Sequence, residues 1–456
     1  MKRWSGLGRR ALVLAGAGGA LPGALAACGL PWGAPAGPAA ATVQPGAVEL
    51  WFSVGKEREP MMLEISRGFE AAAAGVTVTW EHAPSDGALR DKLVTTSAAG
   101  SPPDVAQLNA PFVPLLVAGG ALADLDALAA RDRGFKLGEV FEAAGLSLAR
   151  KLTTDERLYA LPRGAGLLHY FYNRDAFAQQ GLKDPIELYD AKQWTWAAAV
   201  SAATALTRRS GDAVERYGHA ADFTIQRAVG IVAANGGRLF DEGSKRFVFA
   251  DDAASVDAVQ WTVDLKDRHR VAQPYPPPDG EPASAQTLFA SGKAAMFHGL
   301  ATYLAAMTPV IGTTFRYAIA PMPVARKEAT YGNASGGMGV FKAGKRPDLG
   351  WEVAKHFAGT DAFVTSMKHN YVQVPLLNDR RAKESFLASG VYGIDRVLKH
   401  AATSVTETFA ATNLGDIRNV FDREATAIWR GTAAVRPALA TAQREMQGLY
   451  DAGAGR

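Results

Sequence analysis

Cysteine is almost absent, since Cys28 is the only one in 456 residues. That excludes an internal disulfide framework and any zinc site made from paired cysteines, so packing must hold this fold. A basic surplus is also missing from the body of the chain. The formal charge is +4, but Lys2, Arg3, Arg9 and Arg10 account for it and leave 45 basic against 45 acidic side chains elsewhere. Nucleic acid binding through a basic face therefore has no compositional support, because neutralising phosphates takes clustered lysine and arginine. The eight histidines lie at least thirteen residues apart, and no HExxH face, GxSxG elbow or GxxxxGK[ST] phosphate loop occurs. No catalytic residue, metal or cofactor is expected. Glycoside hydrolysis needs only two carboxylates, so a surface hydrolase stays open at this point.

What is present is an apolar content of 48% with 21% charged residues, enough to bury a large core. At roughly 150 residues per domain the length allows about three domains or two large lobes. The chain opens MKRWSGLGRR, followed by 17 uncharged residues from Ala11 to Ala27. This pattern reads as an export signal over residues 1–27, too short and too rich in glycine to span a bilayer as a permanent helix. Arg9-Arg10 resembles a twin-arginine signal, although Gly8 stands where a polar residue is usual. Leu25-Ala26-Ala27-Cys28 resembles a bacterial lipobox, which implies lipidation at Cys28 and an extracytoplasmic, membrane-anchored protein. Residues 28–47 are rich in Pro, Gly and Ala without charge and suit a tether of up to roughly 60 Å.

From Val48 the pattern becomes strand, helix, strand. VELWF is followed by Met61, Met62, Ile65 and Phe69 at helical spacing, then by VTVTW from Val76, and a further strand is expected from Asp104. The constant step of 28 residues fits βαβ units and a parallel sheet, whose ligands bind beyond the carboxyl ends of the strands. Leu167 to Asn173 reads as a buried strand, and Thr195 as the N-cap of an alanine-rich helix from Trp196. Trp194 and Trp196 are candidate ligand platforms, though packing is the preferred role at a helix start; Trp51, Trp80 and Trp261 are read as core. PYPPPDGEP at 274–282 reads as a stiff surface loop.

VELWFS, Pro103-Asp104-Val105, Gly119 to Leu125, LYALP, Tyr172-Asn173-Arg174-Asp175, WTW, Gly292 to Met296, the Gly332 to Gly339 loop and Trp351 to Phe357 follow one another in this order. With the lipobox, the set resembles extracellular solute-binding proteins of the sugar-binding ABC importer group, similar to the maltose-binding fold. The resemblance implies a two-lobed α/β fold of the periplasmic-binding-protein type, each lobe a sheet flanked by helices and joined by a hinge. It places an N-terminal lobe at 48–169 and 300–343, a C-terminal lobe at 170–299 and 344–456, and crossings at Tyr170 to Asn173, Phe297 to Leu300 and Phe341 to Gly344. The implied function is capture of a sugar or oligosaccharide between the lobes by a monomer, and its delivery to an ABC permease. A phosphodiester or polyamine ligand is the alternative within that class.

Sugar recognition needs aromatic faces and planar polar groups on strand-end loops. Ser53 and Glu57, Asn109 and Phe112, Asp222 and Phe223, and His298, Gly299 and Tyr303 satisfy that placement. Gly336 and Gly337 close the set. Asn333 to Gly337 has the makings of a backbone nest for an anion, but close approach of a chain crossing to the ligand is the preferred role. At 298–303 the chain lacks the tryptophan that the family usually carries shortly after the glycine.

Overall fold

The computed structural model describes residues 45–53, 56–274, 284–334, 336–401, 404–406 and 409–453. The signal, Cys28, the tether up to residue 44, Ser335, the proline-rich loop beyond Pro274 and the side chain of Glu57 lie outside that description.

Apolar residues alternate in β1 (Gly46–Phe52) and β2 (Val76–His82), which pair in parallel from Gly46↔Val76 to Phe52↔His82. The intervening helix Glu59–Ala72 turns Met61, Met62, Ile65 and Phe69 inward. A second helix, Asp86–Ala98, starts where the Ser85 hydroxyl accepts from Ala88 N, and leads to β3 (Val105–Leu108), parallel to β1. The expected repeat is present, but the strands start at Gly46, Val76 and Val105, so the step is 30 and then 29 residues instead of a constant 28. Asp104, buried just before β3, accepts from the backbone N–H groups of Glu49 and Arg346 and ties three distant pieces of chain together. Trp51 is core as expected. Trp80 is not: it is 41% exposed, because β2 is the outer strand of its sheet.

The second sheet is built on β4 (Gly164–Asn173), all ten residues of which are buried. Leu168, Tyr170 and Tyr172 enter one hydrophobic core, while Leu167 and Phe171 enter another on the opposite face. A strand covered on both faces reads as a continuous apolar run, which is why this segment was legible in the sequence. Two hairpins follow, β5 (Arg208–Ser210) with β6 (Ala213–Arg216) and β7 (Phe240–Asp241) with β8 (Arg246–Phe247). β9 (Met296–Leu300) and β10 (Tyr317–Ala320) lie antiparallel to the second half of β4. β11 (Thr330–Ala334) pairs with its first half; β12 (Gly337–Val340) joins the first sheet beside β3. β13 (Val374–Pro375) returns to β4, and β14 (Ser404–Val405) pairs with β11.

The chain changes sheet at other places than expected. Leu161 bridges Met338 in the first sheet and Gly164 already pairs with Pro375 in the second; Ala334 ends one ladder and Gly337 begins the other. The passages are therefore 161–164 and 334–337. Tyr170 to Asn173 and Phe297 to Leu300 belong to unbroken ladders of the second sheet, and Phe341 bridges Leu122 on the first. Helix Pro347–Ala358 packs on β12, β3 and β1 of the first sheet. Aromatic density marks the middle of a sheet here, not the joint between two.

Candidate ligand-binding surfaces

On the first lobe, the carboxyl ends of β1 and β2 carry a small polar rim. The Ser53 hydroxyl donates to Asp86 Oδ1 at 2.7 Å, and His82 lies stacked on Phe52 at 5.4 Å with its Nδ1 2.7 Å from Glu59 Oε1. Asn109, half-buried beyond β3, accepts at its carbonyl from Phe112 N and starts the short helix Phe112–Ala118. Phe112 itself is buried in a core with Trp51, Leu108 and Leu116. The expected stacking ring is therefore a packing residue, because position one of this helix faces inward.

The second lobe holds a cavity of about 1150 Å³ beside the strand-like segment Tyr217 to Ala221, which bridges β9 on the free side of the sheet. Asp222 and Phe223 line it, with Tyr217, Gln273, Lys266 and Trp429. Phe223 meets Phe421 edge-on at 6.1 Å, and the Lys266 ammonium lies 5.7 Å from the centre of the Trp429 ring. Asp222 Oδ1 accepts from Ala285 N at 2.9 Å while Oδ2 pairs with Arg227 at 3.2 Å. The structure thus brings two of the sequence-predicted residues to one concave surface.

Others are interior. His298 is buried in β9 opposite Tyr170, and its ring stands 5.5 Å from that of His219. Burial, then the nearby Arg227 charge and His219, holds its pKa well below the usual imidazole value. Burial likewise pushes His219 down to about 3. Gly299 is packed: a Cβ there would come within 2.6 Å of Phe297 and 3.0 Å of the Tyr303 ring, which covers it. His298, Gly299 and Tyr303 therefore serve the packing of a sheet covered on both faces, and none of them lines the cavity. Gly336 and Gly337 have a steric role toward the chain's own backbone, since a Cβ would fall 1.7 Å from the Leu108 carbonyl oxygen at the first and 2.3 Å from that of Leu161 at the second. Trp194 is core, its Nε1–H donating to the Pro321 carbonyl, and Trp196 stacks on Trp261 at 4.2 Å. His82, Glu59, Gln273 and Trp429 were not found in the sequence; only the fold brings them to a rim or a cavity wall. Among the described residues no three His, Cys, Asp or Glu side chains are grouped to hold a metal.

The family model of bacterial extracellular solute-binding proteins matches residues 54–362. The chain belongs to that family. Solute-binding proteins of known structure share its fold throughout. An ABC substrate-binding protein of Listeria monocytogenes in complex with cycloalternan superposes with a TM-score of 0.76 at 18% identity, over 89% of this chain and 99% of that one. A solute-binding protein of Thermotoga lettingae bound with α-D-tagatose gives 0.73 at 18% identity, over 89% and 99%. The maltose/maltodextrin-binding domain of Bdellovibrio bacteriovorus bound to maltotriose gives 0.69 at 14% identity, over 88% and 99%. By sequence, binding proteins of Brucella abortus are 28% identical over 131 residues, which is 29% of this chain and 30% of theirs. The maltose-binding-like, two-lobed α/β architecture is thereby shown, and with it a solute-binding role.

Proposed function

We propose that this solute-binding protein captures a sugar or oligosaccharide and delivers it to an ABC permease, without chemical turnover, as a monomer anchored through Cys28 on the outer face of the cytoplasmic membrane. The cavity on the second lobe carries the reading. Phe223, Tyr217 and Trp429 give it aromatic walls, and Asp212, Glu215 and Arg209 add planar polar groups, the combination that suits pyranose rings. Similar folds are bound to cycloalternan, tagatose and maltotriose, which supports the same ligand class here. A polyamine would call for an acidic wall. Arg209, Lys266, Arg270 and Lys293 stand beside Asp212, Glu215 and Asp222, so the wall is mixed. The lobes would close about the passages 161–164 and 334–337, so that ligand bound on the second lobe also meets Ser53 and Asn109 on the first.

A thermal-shift screen with maltotriose, mannobiose, tagatose, spermidine and glycerophosphodiesters tests the reading. A ligand at 100 times its dissociation constant stabilises by about 2.7 kcal/mol. A shift with sugars alone is the expected result; a shift with spermidine alone, or product appearing in the sugar samples, would displace it.

A further inference from the structure

The wall of the cavity turns at residues 221–225, where the edge segment leaves the sheet and helix Ile225–Ala234 begins. Such a turn exposes backbone groups that neither ladder nor helix satisfies, and each must find a partner or cost stability. Here the Ala221 peptide and the Ile225 N–H find side chains brought from distant parts of the chain. His219 N still donates to a backbone oxygen, that of Val271. Three residues beyond Val271, Pro274 has no N–H to give to a continued ladder. Gln273 takes over with its side chain: Ala221 N donates to Oε1 at 3.1 Å and Nε2 donates to the Ala221 carbonyl at 2.6 Å. The buried carboxamide stands in for a peptide group of a neighbouring strand.

The rest of the turn is held in the same manner. Asp222 is spent on Ala285 N and Arg227. The Thr224 hydroxyl accepts from Arg227 and does not cap the helix it precedes. That cap comes instead from Asp422, on helix Leu414–Arg430, whose Oδ1 accepts from Ile225 N at 2.7 Å. A carboxylate at this position also complements the positive end of the helix dipole. With the Ala221 peptide, the Asp222 carboxylate, the Thr224 hydroxyl and the Ile225 N–H engaged, Phe223 is the side chain of the turn left to face the cavity.

We infer that Gln273, Arg227 and Asp422 are positioning residues that fix the 221–225 turn in its ligand-ready form before ligand arrives, and that Asp222 belongs to this frame and is not a sugar contact. The inference rests on the cavity being the ligand surface, and preorganisation of this kind raises affinity by removing an ordering cost at the moment of binding.

The test separates the two ideas. Hydrogen exchange of the ligand-free protein, read by mass spectrometry on peptides covering 217–227, is compared for the parent, Gln273→Met and Gln273→Glu. Met keeps the volume and loses both hydrogen bonds; Glu keeps the acceptor for Ala221 N and loses the donor. The expected result is exchange at least tenfold faster in Met and intermediate in Glu, with peptides of β1 to β3 unchanged. Parental exchange in both variants would overturn the frame. Calorimetry with maltotriose follows, at a temperature where all three proteins are fully folded by circular dichroism. Weakening of tenfold or more in Gln273→Met, partly recovered in Gln273→Glu, is expected. Faster exchange with parental maltotriose affinity would overturn the ligand role of the turn. No binding of maltotriose by the parent would count against the sugar reading for that probe, and the exchange data would still decide the frame.

Discussion

Gly336 and Gly100 have almost the same backbone angle, φ +79° and +73°, yet they differ entirely in what surrounds them. At Gly100 nothing lies within 4 Å of an added Cβ, whereas at Gly336 it would meet the Leu108 and Asn109 backbone. Gly100→Ala should therefore cost about 1 kcal/mol, the strain of the left-handed conformation alone, and Gly336→Ala roughly 3 kcal/mol or more, both read from urea midpoints. The close approach at Gly336 and Gly337 was implied by the family resemblance, not by the glycine pair alone. The sequence could not show which side chains face a cleft. Asn109, Phe112 and Tyr303 follow strands and His298 lies within one, but direction is set by the helix or sheet that each one joins, and that depends on contacts far along the chain. Cys28 carries a prediction of its own at this scale. Cys28→Ser, exported from a bacterial host, should leave the detergent phase on partitioning, and retention equal to the parent would rule out lipid attachment there.

Among the elements, those set by local periodicity were legible, and those set by distant partners were not. The β1 to β3 unit, the buried run of β4 and the N-cap at Thr195 were readable because each has a local signature. The Thr195 hydroxyl does accept from Ala198 N at 3.2 Å. Thr195→Ala should cost about 1 kcal/mol by thermal unfolding, and Thr195→Ser much less. The passages between sheets were not legible because a strand that leaves a sheet and a strand central to one share the same apolar run. What separates them is ladder pairing, and β4 finds its partners only in segments far downstream. The Gln273 contact was equally hidden, since a glutamine between an alanine and a proline has no periodicity to betray it.

For the molecule as a whole, the buried histidines set an acid limit. Burial pushes His169 and His219 down to about 3, and His400 to about 4, from an ordinary value of 6.5. Neutral in the folded protein, these rings are protonated in the unfolded chain once the pH falls below about 6.5, so the unfolded state binds more protons and stability drops with falling pH. The slope is about 1.4 kcal/mol per pH unit for each histidine, down to the folded-state value. Urea midpoints at pH 7 and near pH 5 should show this loss, with a shallower slope in His219→Phe. Equal slopes would mean that another group governs the acid limit. Ligand binding should reduce the radius of gyration in small-angle scattering if the lobes close, and an unchanged radius would speak against closure. β4 has a consequence in time as well as in space. All its ladder partners lie at or beyond Met296, so a chain emerging from its first residue onward holds ten largely apolar residues without ladder partners until most of its length has appeared. Loop closure over such separations is slow. That delay leaves a sticky segment open to misassociation until the last of its partners has been made.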